Sequence, residues 1–171
     1  LQESKGIDFI WKVVEKLGPE AGVRFHFKGA VHWQSRVEAM TRLERYSDFV
    51  ALHEPGPHEE MPDFYRSLDV LLQPSRFESF GLAYAEAMAA GLLVFAGVAG
   101  SAPEIVKDGE TGFLVNPDGP VDSVIEKLRI MASDKRAFKD IRLAARRDVE
   151  QRFSNDTCIE SKLKFYREIT S

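Results

Sequence analysis

Two glutamates, Glu78 and Glu86, stand with seven residues between them in QPSRFESFGLAYAEAMAAGLLVFAG, residues 73–97. Glu78 falls in a polar loop. Glu86 falls inside an Ala/Met-rich run that predicts a helix from Phe80 or Gly81 to Ala90, with Gly91 as its C-terminal stop. The start of such a helix carries unpaired backbone N–H groups and about half a positive charge. Gly81 lets a ligand come close to the backbone there, so the place suits a phosphate. Glu86 lies roughly 8–10 Å along the helix, its side chain leaning back toward the N-terminus. Two carboxylates flanking a phosphate seat could hold the two polyol ends of one ligand, a sugar on one side and a ribose on the other. Spacing alone gives equal weight to a plainer arrangement, with Glu78 solvated and Glu86 on the polar face of an amphipathic helix.

A second place for an anion is SKGIDFI, where Lys5 precedes a helix start and Gly6 frees the backbone. A surface lysine is the commoner meaning of that pattern taken alone. AGVAGSAPE supplies small residues and another helix start, and reads equally as a tight turn packed under a sheet. His26, His32, His53 and His58 are scattered without metal-ligand spacing, and no metal site is expected. His53 and His58 read as pocket-wall residues. Arg142, Arg146, Arg147 and Arg152 read as a solvated helix face.

The elements that must position these groups follow from periodicity. Ile7, Ile10, Trp11, Val14 and Leu17 predict an amphipathic helix over residues 6–17, ended by Gly18-Pro19. VRFHF and DFVAL read as strands, and Val37, Met40 and Leu43 predict a helix over residues 34–45 between them. PDFYRSL is a short helix with Pro62 in its first turn. DVLLQPS and LLVFAG are continuous apolar strands, as expected where both faces are buried. Ser101 and Glu104 suggest a capping box opening a short helix that ends at Gly109, followed by the strand GFLV. The remainder predicts helices over residues 121–133, 135–152, and from an N-cap at Ser154 or Asn155 to Ile169. Alternating strands and helices imply an α/β fold, a Rossmann-like open parallel sheet with helices on both faces, whose ligands bind beyond the carboxyl ends of the strands.

Composition bounds the rest. The 171 residues suffice for a single domain with its own core. A net charge of −4 argues against bulk nucleic-acid binding, though not against a small basic pocket. The single cysteine, Cys158, excludes an internal disulfide, and a cytoplasmic location is expected. No stretch reads as a signal peptide or membrane span, and no membrane contact is indicated. The opening LQESKG, without an initiator Met, reads as a loop entering a helix. We therefore expect residues 1–171 to be a fragment of a longer chain, lacking its first strand.

KGIDF, DVLLQPSRFESFGLAYAEAMAAGLLV, GSAPEIVKDGETGFLV and QRFS occur in the order and spacing of the retaining nucleotide-sugar glycosyltransferases of glycosyltransferase family 4. Over nearly all of residues 5–171 the chain resembles their C-terminal donor-binding domain, half of a GT-B fold. The resemblance implies transfer of a sugar from a nucleoside-diphosphate sugar to an acceptor hydroxyl with retention, without a metal or other cofactor. It implies that catalytic Glu78 lies beside the donor sugar and Glu86 binds the ribose. Ser79, Phe80, Gly81 and Leu82 would meet the sugar and phosphates through backbone amides, and Lys5 would neutralise the diphosphate. The family pairs that lysine with an arginine five residues earlier, a position before Leu1. Leu93 stands where the family usually has proline, and Ser101 where it has a second glycine. The implied partner is the N-terminal acceptor domain, and the isolated piece is expected to be inactive. A non-catalytic nucleotide-sugar-binding module is the alternative. A dehydrogenase half is disfavoured because LQESKG lacks G-x-G-x-x-G. A glycoside hydrolase is disfavoured because its carboxylates must face each other across the scissile bond.

Overall fold

The computed structural model describes residues 3–30 and 36–170. Among these, five strands alternate with helices. The strands are β1 (Phe25–Lys28), β2 (Val50–His53), β3 (Val70–Gln73), β4 (Leu93–Gly97) and β5 (Phe113–Val115). The helices are α1 (Ile7–Leu17), α2 (Arg36–Arg45), α3 (Met61–Arg66), α4 (Leu82–Ala89), α5 (Ala102–Ile105), α6 (Asp122–Ser133), α7 (Lys139–Phe153) and α8 (Asn155–Thr170). The expected residues 34 and 35 of α2, and His32, lie outside the described residues.

All strand pairings among the described residues are parallel, in keeping with the continuous apolar runs of β3 and β4. They form two ladders, β1–β2 and β3–β4–β5. Phe25 to Lys28 of β1 and Val70 to Gln73 of β3 all border one cleft. Successive strand residues point to opposite faces, so the cleft is bounded by the edges of β1 and β3 rather than by one face of either.

β4 shows why a strand without alternation still has two faces. All its residues are buried, yet Leu93 and Phe95 pack with α1 and α6, while Val94 and Ala96 pack with α4, α5 and α7. Helices therefore cover both faces of the three-stranded ladder. A third cluster joins Trp11 and Val14 of α1 to Phe27, Leu43, Phe49 and Val50, with Trp11 stacked on Phe27 at 4.9 Å.

Several elements differ in detail from the sequence reading. In α2 the buried face is Ala39 and Leu43, one helical turn apart, while Val37 and Met40 are exposed. No side-chain capping bond forms at α5. The Ser101 hydroxyl donates instead to the Glu78 carbonyl, and the helix stops at Ile105. Helix α7 begins at Lys139 because Asp134 organises a turn before it, its carboxylate accepting from Arg136 N–H at 2.9 Å. The expected cap at Ser154 is present, its hydroxyl accepting from Thr157 N–H at 3.2 Å.

Gly6 couples the first helix to the rest. It adopts φ 70°, and a Cβ there would collide with the Pro74 carbonyl and ring. Gly22 adopts a similar φ of 67° but faces open space. Gly6→Ala is expected to cost about 2–4 kcal/mol, left-handed strain plus overpacking, against about 1–2 kcal/mol of strain alone for Gly22→Ala. Urea unfolding midpoints of the two variants check this, and equal losses would mean that the Gly6–Pro74 packing carries nothing.

Candidate functional site

The loop between β3 and α4 and the start of α1 meet at the carboxyl end of β3. Gly81, at φ 86°, opens α4, and its carbonyl accepts from Tyr84 N–H at 2.9 Å. Glu78 precedes it with its side chain 13% exposed. Lys5 Nζ lies 2.7 Å from Glu78 Oε2, and the Gln73 amide donates to the same oxygen at 3.3 Å. The Tyr84 hydroxyl in turn donates to the Gln73 carbonyl at 3.0 Å. Lys5 is therefore paired although its side chain stays 47% exposed, and Glu78 is not simply solvated.

Lys5, Glu78, Ser79, Phe80, Gly81 and Leu82 come together at the carboxyl end of β3, along one border of the cleft bounded by β1 and β3. The sequence reading named all six. Phe80 and Leu82 are exposed, and Phe80 sits edge-on to Phe153 of α7 at 5.6 Å.

Glu86, on the second turn of α4, borders an adjoining cavity of about 380 Å³ rather than the larger cleft. Met61 and Tyr65 of α3 border both cavities. The Tyr65 hydroxyl donates to Glu86 Oε2 at 3.1 Å, and His58 Nε2 lies 3.4 Å from Oε1. Burial and the Glu86 charge push the Tyr65 phenol well above its ordinary pKa. Glu86 is thus neither a free surface carboxylate nor a core residue.

The loop after β4 serves as a clamp, the tight-turn alternative of the sequence reading. Ser101 donates to the Glu78 carbonyl through both its N–H, at 3.1 Å, and its hydroxyl, at 3.3 Å. Gly100, at φ 65°, packs directly on the Glu78 backbone. Ser101 is accordingly tied to the main chain that carries Glu78.

Arg76 holds the same loop from the other side. Its N–H donates to the Ser4 carbonyl at 2.8 Å, and its guanidinium is bidentate to Asp8 at 2.7 and 2.8 Å and reaches Asp118 at 2.7 Å. The hydrogen bonds from Arg76 hold the Asp8 carboxyl below its usual range.

The late arginines are not simply a solvated face. Arg142 donates to the Gly91 carbonyl and Arg152 to the Glu104 carbonyl, each at 2.6 Å, so both fasten loops. Arg146 pairs with Glu150 on the same helix at 2.7 Å. His26 Nδ1 and His53 Nε2 are 2.9 Å apart across β1 and β2. Burial, then His53 and Arg24, lower the His26 pKa. Among the described residues no cluster could hold a metal ion, and no helix is long and apolar enough to cross a membrane.

Sequence reasoning missed Gln73, Tyr65, Tyr84 and Arg76. Gln73 carried a signal, a polar residue closing the apolar strand DVLLQ. Tyr65 and Arg76 carried none, because their partners lie 21 and 68 residues away.

Residues 1–148 match the family described as Glycosyl transferases group 1. The chain is 33% identical to a D-inositol 3-phosphate glycosyltransferase of Xylanimonas cellulosilytica, over 99% of this chain and 41% of that protein. It is 41% identical to the sulfoquinovosyl transferase SQD2 of Arabidopsis thaliana, over 54% of this chain and 19% of that one. Anabaena Alr3699/HepE, solved in complex with UDP and glucose, superposes with a TM-score of 0.83 at 22% identity, over 98% of this chain and 46% of its own. The C-terminal domain of a glycosyl transferase group 1 family protein (LpcC) from Francisella tularensis superposes with a TM-score of 0.73 at 25% identity, over 90% and 81% respectively. The chain spans less than half the length of the two curated relatives named here.

The Asp8–Arg76 contact makes a pH prediction. The folded pKa of Asp8 is depressed, so its contribution is present above the unfolded value of about 3.9 and is lost as pH falls through the folded value. Both side chains are partly solvated, so Asp8→Asn is expected to cost up to about 1 kcal/mol at pH 7 and almost nothing near pH 2. Urea midpoints at the two pH values check this, and an equal gap at both would show that the contact is not ionic.

Proposed function

The chain belongs to the group 1 glycosyl transferases, and from that premise we propose that it binds the nucleoside-diphosphate sugar of a retaining glycosyltransferase. The observation that carries this reading is the convergence of Lys5 and Glu78, 2.7 Å apart, at the N-terminus of a helix that also bears Glu86. The diphosphate lies between the Lys5 ammonium and the first amides of α4, which Gly81 leaves open to close approach. The sugar lies against Glu78 and the backbone of Ser79 to Leu82. The ribose lies against Glu86. That the solved Anabaena relative holds UDP and glucose supports the ligand class.

The chemistry follows from these charges. The bond between the anomeric carbon and the diphosphate oxygen breaks, and its electron pair stays on the diphosphate. Lys5 and the α4 amides stabilise that charge as it develops, the electrostatic contribution that usually dominates. The acceptor hydroxyl forms the new bond on the same face, and its proton passes to the departing phosphate. No strong base, metal ion or other cofactor is required of these residues. When the diphosphate draws Lys5 away, Glu78 is left to accept hydrogen bonds from the sugar hydroxyls. The acceptor is held by an N-terminal domain, in keeping with relatives more than twice as long. Among the described residues no helix is long and apolar enough to cross a membrane.

Titration of the chain with a nucleoside and its diphosphate tests the phosphate seat. One lysine and helix-end partial charges predict weak diphosphate binding, near millimolar or about −4 kcal/mol. Salt weakens it further, with a Debye length of roughly 8 Å at physiological ionic strength. Lys5→Ala is expected to weaken diphosphate binding by about tenfold or more, the loss of one charge-assisted hydrogen bond, and to leave nucleoside binding unchanged. If Lys5→Ala keeps the full preference for diphosphate over nucleoside, the phosphate seat lies elsewhere.

A further inference from the structure

We propose that Tyr65 is a positioning residue for Glu86, pinning one carboxylate oxygen so that the plane of the carboxylate is set toward the ribose diol, and thereby sets the preference for ribose over deoxygenated sugars. The proposal rests on the assignment of Glu86 to the ribose and extends it to a residue on a different element.

The two oxygens of Glu86 have unlike partners. Oε2 accepts from the Tyr65 hydroxyl at 3.1 Å. Tyr65 is 5% exposed, and its ring packs in the core with Tyr84, Ala87 and Met88, so the hydroxyl is delivered from a fixed frame. Oε1 faces His58 at 3.4 Å, a side chain 77% exposed that a ligand can displace. One oxygen is anchored to the core and the other is open to exchange partners.

A carboxylate recognises a vicinal diol by accepting from both hydroxyls, which demands a defined plane for its two oxygens. Glu86 has three rotatable bonds and is 29% exposed, so its backbone alone does not set that plane. The Tyr65 bond does. Each carboxylate oxygen has two acceptor sites, so Oε2 keeps capacity for a ribose hydroxyl while it holds the phenol. The phenol remains a donor throughout the working pH range because burial and Glu86 oppose its ionisation. Tyr65 borders the same cavity as Glu86 and His58, so its hydroxyl is delivered at the wall that a ribose would meet.

The test compares UDP with its 2′,3′-dideoxy analogue by calorimetry on the wild-type chain, Tyr65→Phe and Glu86→Ala. The wild type is expected to prefer UDP by about tenfold, the worth of a hydrogen bond to a charged acceptor. Glu86→Ala is expected to abolish the preference. Tyr65→Phe is expected to reduce it to about twofold or less without changing affinity for the dideoxy analogue. A merely structural role would lower both affinities together and leave their ratio intact. If Tyr65→Phe keeps the full preference while Glu86→Ala loses it, the positioning role is overturned and the ribose site stands. If the wild type shows no preference, or Glu86→Ala keeps it, the ribose site itself falls and takes the proposal with it.

Should Tyr65→Phe not fold, the wild-type chain supplies the second measurement. With its four tyrosines ring-labelled at Cζ, one resonance should shift on adding UDP and not on adding the dideoxy analogue. A spectrum in which no tyrosine signal distinguishes the two nucleotides overturns the proposal.

Discussion

The close approach of the first helix to the loop after β3 is the constraint on which the site depends. Gly6 gives up its side chain so that Pro74 can pack against it, and Arg76 N–H bonds the Ser4 carbonyl at 2.8 Å. These contacts hold Lys5 and Glu78, which are 73 residues apart in sequence, within 2.7 Å of each other. The Arg76–Asp8 pair closes the same junction on its outer side. Separating the two segments by the width of a methyl group would disperse the charges, because a hydrogen bond weakens steeply beyond its ordinary length.

The charged groups of the site are paired before any ligand arrives. Lys5 and Gln73 both serve Glu78, and Tyr65 and His58 both serve Glu86. A carboxylate of low exposure without partners would pay a desolvation cost with nothing to offset it. The pairing also sets the form of ligand exchange. Under the proposed assignment a diphosphate would compete for Lys5 and a diol for the place of His58, so each ligand group would replace an existing contact rather than fill an uncompensated site. Net affinity would then be a difference between similar interactions.

Two tyrosines carry this polar arrangement into the core. Tyr84 is wholly buried on α4 and supports Gln73, while Tyr65 on α3 supports Glu86. Each buries an apolar ring and aims one hydroxyl at a group of the site, Tyr84 at the Gln73 carbonyl and Tyr65 at the Glu86 carboxylate, so packing energy fixes a hydrogen-bond donor in place. The rigid part of the site is therefore the face of α3 and α4 against the sheet, and the exposed side chains of Phe80 and Leu82 lie at its rim.

The sequence by itself determined the element order, the parallel α/β class, the two helix starts that favour anions, and the resemblance to glycosyltransferases carried by the 78–86 segment. These are local properties. Apolar periodicity records which face is buried, and glycines and prolines record where the chain turns. Residues 34 and 35 and His32 lie outside the described residues. Only the tertiary structure decided that Glu86 borders a cavity with His58 and Tyr65 apart from Lys5 and Glu78, and that Ser101 clamps a backbone instead of capping its own helix. It also chose the partners Lys5–Glu78, Tyr65–Glu86 and Arg76–Asp8. A side chain's local sequence states what it can bond to. Which group it meets depends on how distant loops are brought together by packing, and no spacing along the chain records that.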